Sequence, residues 1–385
     1  MKKLFIVLLM MVMLSGCGGG TTPTKDGYKL GIQFELTGEV ADYGNAELEG
    51  AKLAIKLANE KLGEEKYVPV IYDNTSSTTE AVTLATKLVQ DGVVGVVGPA
   101  TSGASAATYQ ISNDSGVVVV SPSATANNVT LTNPDDKNSP AYEYVFRTCF
   151  EDSYQGAAMA QYAYVVLGIR RVVVYGDSIT DYAKGLAVSF TEQFEKLGGS
   201  VIANEYYVAK DTDFSPVLTR IKDLNLDAIY IPGYYQEVGL IIKQAREMGL
   251  DCPIIGGDGF DSETLAELGG AKNLNDVFFT TGYTTVDASP ELKAFIETYT
   301  KEYGKEPNMF AALAFDATNL LIQACEEAGT NDSAAVRDVM ETIHFDGITG
   351  SFSFDKTHTP IKSVLVVELV NGVQDKAVAI SPDVD

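Results

Sequence analysis

Histidine is nearly absent from this chain: its 385 residues contain two, His344 and His358, both in the C-terminal fifth. Cysteine is almost as scarce, with Cys17, Cys149, Cys252 and Cys325 far apart and no C-x-x-C spacing. A Cys/His metal centre is therefore not expected. Nor is a disulfide framework, although one pair among the last three could form in an oxidising compartment. The sequence also lacks G-x-S-x-G, H-E-x-x-H and a P-loop, and Gly92, Gly95 and Gly98 have the wrong spacing for G-x-G-x-x-G. No catalytic constellation and no cofactor follow from the residues present, so an enzyme is not expected. Basic residues are short as well: 28 Lys and Arg face 52 Asp and Glu, a formal charge of −24 that becomes −26 without Lys2 and Lys3. Such a surface repels nucleic acid and anionic membrane faces.

One apolar run stands out, Leu4 to Leu14, preceded by Lys2 and Lys3. It is too short for a hydrocarbon core that needs roughly 20 residues, and no later segment has transmembrane length. Its end, Leu14-Ser15-Gly16-Cys17, resembles the lipobox of bacterial lipoproteins. That resemblance implies a signal peptide over 1–16, a lipid on Cys17 and a position on the extracytoplasmic face of the cell membrane, or in the periplasm. The Gly/Thr-rich stretch that follows reads as a flexible tether over 17–27. From Tyr28 to Asp385 the chain has length for two domains.

From Tyr28, β-rich runs alternate with segments of helical spacing: Leu30–Phe34, Asn45–Lys61, Val68–Tyr72, Thr79–Asp91, Val93–Val97, Ala104–Ser112 and Val117–Val120. The polar stretch Thr130–Pro140 interrupts, and a second alternation begins with a helix over Tyr154–Val166 and strands at Val172–Tyr175, Val201–Val208, Ala228–Ile231 and Ile254–Ile255. The chain closes with helices over Ser289–Tyr303 and Phe310–Glu327 and paired strands around Gly350–Phe354 and Val364–Leu369. Near-continuous valine strands separated by helices predict an α/β protein of two doubly wound halves with parallel sheets.

In such sheets ligands bind beyond the carboxyl ends of strands. Three loops qualify. Gly98-Pro99-Ala100-Thr101-Ser102-Gly103-Ala104 opens a helix, and its small residues suit a carboxylate at the helix N-terminus, with Ser102 adding a hydroxyl; an ordinary βα turn would use the same glycines. Ser121-Pro122-Ser123-Ala124-Thr125 could meet an ammonium or a carboxylate, or cap a helix. Gly256-Gly257-Asp258-Gly259 offers one carboxylate among glycines, suited either to a ligand ammonium or to its own turn. Tyr43, Tyr182 and Tyr234-Tyr235 sit at further strand ends, where rings would give a pocket its shape.

Together with Leu36-Thr37-Gly38, Ala41-Asp42-Tyr43-Gly44, Glu49-Gly50-Ala51, Asp73-Asn74 and Gly233-Tyr234-Tyr235, these loops resemble the Leu/Ile/Val-type periplasmic binding proteins over nearly the whole mature chain, in the same order. The resemblance implies a type I periplasmic-binding-protein fold: two Rossmann-like lobes, 28–146 plus 282–348 and 147–281 plus 349–385, joined by a three-crossover hinge. It implies a monomeric substrate-binding component of an ABC importer that hands an amino acid to permease subunits. By the same resemblance, Ser102 and its neighbour Gly103 hold the ligand α-carboxylate with Thr125 close by. Ser123, Thr125 and Asp258 receive the α-ammonium, and Tyr43, Tyr182 and Tyr234 surround the rest. Asp258 stands where many relatives carry a longer Glu, so small amides and organic acids join aliphatic amino acids as ligand classes, and a ligand sensor of the same fold is the alternative to uptake.

Overall fold

The computed structural model describes residues 27–381; the signal peptide, Cys17 and most of the tether lie outside the described residues. The first half runs β1 (Tyr28–Phe34), α1 (Ala41–Leu62), β2 (Tyr67–Asp73), α2 (Thr78–Gln90), β3 (Gly95–Val97), α3 (Ser102–Asp114), β4 (Val118–Ser121) and β5 (Val145–Arg147). Next come α4 (Asp152–Gln161), β6 (Arg171–Asp177), α5 (Asp181–Lys196), β7 (Ser200–Tyr207), α6 (Ser215–Lys222), β8 (Ala228–Ile231), α7 (Tyr235–Glu247), β9 (Ile254–Gly256), α8 (Glu263–Gly269) and β10 (Val277–Thr281). The last part is α9 (Pro290–Tyr303), α10 (Met309–Ala328), α11 (Ser333–Met340), β11 (Phe345–Gly347), β12 (Gly350–Phe352), β13 (Val364–Val370) and β14 (Val373–Ile380).

Strands β3, β4, β8 and β9 are buried at every residue, as helices on both faces of a parallel sheet require. One sheet is wholly parallel in the order β2-β1-β3-β4-β5. The other has the order β14-β13-β10-β9-β8-β6-β7, with β13 and β14 antiparallel at one edge. The chain passes between the two sheets three times: from β5 to α4, from β10 to α9, and from β12 to β13. This is the expected α/β architecture of two Rossmann-like lobes joined by three crossovers.

Element limits differ where capping decides them. The Thr101 and Thr180 hydroxyls accept from the backbone N–H three residues on, starting α3 and α5. Helix α3 thus begins at Ser102, two residues before the periodicity predicts. Helix α1 begins at Ala41 rather than Asn45 without a side-chain cap. A π-helical turn, Tyr162–Val166, carries α4 to its expected end. The closing strands do not pair with each other. β12 pairs with β11, while β13 pairs with β10 and with β14. The expected boundary at 348/349 lies in the turn of the β11–β12 hairpin, where Asp316 of α10 accepts from the Ile348 and Thr349 N–H groups at 3.0 and 2.8 Å.

The long helices α1 and α10 pack side by side. A Cβ on Gly50 would stand 2.1 Å from the Ala311 carbonyl oxygen, so only glycine lets the backbones meet. Gly50→Ala is therefore expected to cost about 1–3 kcal/mol in urea unfolding, by forcing α10 outward.

Candidate functional site

Tyr43, Ser102, Ser123, Thr125, Tyr182, Tyr234 and Asp258 line one small space between the lobes, with Ala100, Thr101, Gly259 and Phe310 completing the wall. The seven come from six strand ends, which is where open parallel sheets place ligands. Gly103 does not join them. It faces an outer chamber, and a Cβ built there would meet only Thr78, at 4.0 Å.

On the first lobe a buried carboxylate shapes the entry to α3. Glu35, directly after β1, accepts from the Ala100 and Thr101 N–H groups at 3.1 Å each and from the Thr101 hydroxyl at 2.7 Å. The Ser102 hydroxyl accepts from Ala126 N–H at 3.0 Å, fixing the α3 turn to the loop after β4. Ser123 lies within hydrogen-bond reach of the Ala100 carbonyl at 2.8 Å and of Glu47 Oε1 at 2.5 Å. The Ser123 hydroxyl is the donor in both contacts, and burial holds the Glu47 carboxyl well above the usual carboxylate range. Among the described residues the buried Thr125 hydroxyl has no hydrogen-bond partner within normal distance.

That loop is held from beneath by Arg147, fully buried at the end of β5. Its guanidinium donates to the Ala124 and Ala126 carbonyls at 3.1 and 2.9 Å, to Thr359 Oγ1 at 2.9 Å and to Glu151 at 2.8 Å.

On the second lobe Asp258 accepts from the Tyr182 hydroxyl at 2.7 Å and from Gln155 Nε2 at 3.0 Å, both on Oδ1. Gln155 is itself fixed: its amide also reaches Asp152 Oδ1 at 2.7 Å, and its carbonyl oxygen accepts from Thr280 at 2.7 Å. Burial raises Asp258 to about 6, against the lowering effect of these two donors. Asp152 is raised well above its usual range, by burial first and the Asp258 charge second. Each carboxylate of this pair therefore disfavours ionisation of the other.

Aromatic rings fill the space between these poles. Tyr182 and Tyr234 stack at 5.1 Å, Tyr43 stacks on Phe310 at 4.1 Å, and Tyr43 meets Tyr234 edge-on at 5.7 Å. The Tyr43 hydroxyl crosses the cleft to donate to the Gly259 carbonyl at 2.5 Å. Tyr235 donates to the Glu39 carbonyl at 3.1 Å, and Lys210 pairs with Glu39 at 2.5 Å, so the two lobes touch around the pocket.

Chemically, the pocket offers a helix start and hydroxyls at one pole, the Asp258 carboxylate at the other and rings between. It suits a small molecule with an anionic and a cationic end. Sequence reading missed Glu35, Glu47, Arg147, Asp152, Gln155 and Phe310. Only Glu35 carried a signal, since it immediately follows a strand. Because Arg147 is the shared donor for the Thr125 loop, Arg147→Met should lower stability by about 3–5 kcal/mol and weaken ligand binding, as read by thermal unfolding and calorimetry.

Residues 27–374 match the periplasmic binding protein family. The leucine-, isoleucine-, valine-, threonine- and alanine-binding protein of Pseudomonas aeruginosa is 28% identical over 333 residues, 86% of each chain. The branched-chain amino acid transporter substrate-binding protein LivJ of Streptococcus pneumoniae, solved in complex with isoleucine, is 40% identical with a TM-score of 0.86, over 93% of this chain and 100% of its own. The leucine-binding protein LivK of Thermotoga maritima is 36% identical with a TM-score of 0.84, over 92% and 99%. With its two sheets, three crossovers and strand-end pocket, the chain belongs to the periplasmic binding proteins, a family that binds solutes rather than transforming them.

Proposed function

We infer that this chain is the extracytoplasmic solute-binding component of an ABC importer and captures an amino acid, branched-chain or otherwise aliphatic, between its lobes. The observation that carries this reading is the polarity of the pocket: an ionised Asp258 on one lobe faces Ser102 and the start of α3 on the other, across a lining of tyrosines. A zwitterion placed between them puts its ammonium at Asp258 and its carboxylate at the helix N-terminus, whose first N–H groups lack intrahelical acceptors. The small space left beside Ala100 and Phe310 favours a compact apolar side chain. Relatives whose names and bound ligand are branched-chain amino acids support the same choice. In this reading Ser123 and Thr125 assist at the ammonium and Tyr43, Tyr182 and Tyr234 enclose the side chain. Cys17 carries the lipid, and the monomer delivers its ligand to permease subunits that meet both lobes.

Titration calorimetry with L-leucine, L-isoleucine and L-valine should give saturable binding; silence across all three would sink the aliphatic reading and redirect the search to small amides and organic acids. Asp258→Ala should weaken binding by about 2–5 kcal/mol, since the ligand ammonium loses its buried partner. The pH dependence has a definite sign. Only the ionised Asp258 pairs with an ammonium, so affinity is steady above about pH 7 and falls as pH drops through about 6, by about tenfold per unit below that. Asp258→Asn should abolish that slope. Cys17→Ser should move the protein from the membrane fraction to the soluble fraction, and continued membrane association would refute the lipid anchor.

A further inference from the structure

Beyond the ligand pocket the cleft opens into the outer chamber, ≈ 300 Å³ in volume, which shares Thr101, Tyr182 and Tyr234 with the pocket. Its second-lobe wall is acidic and partly out of water: Asp177 and Glu237 are 6% and 8% exposed. Both accept backbone hydrogen bonds, Asp177 from Ile179 N–H and Glu237 from Lys210 N–H, at 2.8 Å each. The lysines at the rim are taken up by the two outer acids, Lys210 by Glu39 at 2.5 Å and Lys184 by Asp181 at 3.8 Å. Among the described residues no cation is paired with Asp177 or Glu237. Burial, with the charges of Asp177 and Glu39 adding to it, holds the Glu237 carboxyl above its usual range.

A second, separate observation lies in the same wall. Tyr207 is 3% exposed, lines the chamber, and among the described residues its hydroxyl has no hydrogen-bond partner. Room for that hydroxyl exists only because residue 233 is glycine, where a Cβ would stand 1.7 Å from the Tyr207 oxygen. A buried hydroxyl without a partner costs stability, as do two desolvated carboxylates without a cation. One occupant relieves all three: a group that donates several hydrogen bonds and carries positive charge.

We propose that the outer chamber is a second subsite, taking an ammonium or guanidinium at the far end of an amino acid whose α-amino and α-carboxylate groups occupy the inner pocket. The ligand class then includes the basic amino acids lysine, ornithine and arginine, with their alkyl stems passing between Thr101 and the stacked Tyr182 and Tyr234. Hydrogen bonds from the cation reach the Asp177 and Glu237 carboxylates and the Tyr207 oxygen, and closure excludes the water that would screen them. The proposal rests on the amino-acid reading of the inner pocket.

The test is calorimetry of the full chain with L-lysine, L-arginine, L-leucine and L-norleucine, the last being the uncharged counterpart of lysine. Wild type is compared with Asp177→Asn, Glu237→Gln and Tyr207→Phe, each checked for unchanged thermal unfolding. The expected result is that lysine or arginine binds and loses more than about tenfold in affinity in the carboxylate variants, while leucine and norleucine stay within about twofold. Tyr207→Phe should weaken the cationic ligands alone, by a smaller factor. Binding of leucine with no binding of lysine or arginine overturns the subsite and leaves the amino-acid reading standing. Equal losses for charged and uncharged ligands also overturn it. No binding by any of the four overturns the amino-acid reading and this proposal with it.

Discussion

A guanidinium buried at the end of β5 sets the terms for the region where the lobes join. Arg147 cannot be neutralised, so its donors must all find acceptors inside the protein. The acceptors are two carbonyls of the loop carrying Thr125, the hydroxyl of Thr359 in the last crossover, and Glu151 just before α4. The neighbouring His358 ring stacks on Phe146 at 4.2 Å and reaches the Val145 carbonyl at 2.9 Å. Lys362, further along the same crossover, donates to the Thr148 carbonyl and to Thr349. The first and last crossovers are thus one hydrogen-bonded unit, so a hinge movement of the lobes must carry the Thr125 loop with it.

The same logic of burial sorts the acids of the cleft. Burial pushes Glu47 and Asp152 well above the usual carboxylate range, with the Asp258 charge adding to the rise at Asp152 and the Arg147 charge opposing it. Asp258 receives two hydrogen bonds that favour its charged form and offset part of its burial, leaving it at about 6. The charge of the inner pocket is therefore set by how each carboxyl is buried and hydrogen-bonded, and it could not be assigned by counting acidic residues.

Much of this was legible in the sequence because strand-end loops announce themselves locally. Ser102, Ser123 and Asp258 follow runs of valine or isoleucine within a few residues, and glycines mark the turns. The supporting layer was not legible. Gln155 meets Asp258 across 103 positions of sequence, and Glu47 meets Ser123 across 76, so nothing near either residue in the chain hints at its partner. On helices, both read as ordinary polar positions. Strand β14 escaped for a different reason: as an edge strand its residues are mostly exposed, and Gln374, Asp375 and Lys376 obscure any apolar pattern. Gly103 shows the resolution of motif reading, since one residue along a helix start is enough to leave the inner pocket.

The tyrosine lining has an optical consequence. The sequence contains no tryptophan and 20 tyrosines, so the chain's near-ultraviolet emission comes from phenols alone, without the indole that usually absorbs their excitation energy. Four of those phenols, Tyr43, Tyr182, Tyr234 and Tyr235, cluster at the closed cleft, where Tyr182 hydrogen-bonds a carboxylate and Tyr43 a carbonyl. Proton acceptors of this kind quench phenol fluorescence, and lobe opening would separate Tyr43 from Gly259 and Tyr235. The protein thus carries a built-in, label-free reporter of the distance between its lobes.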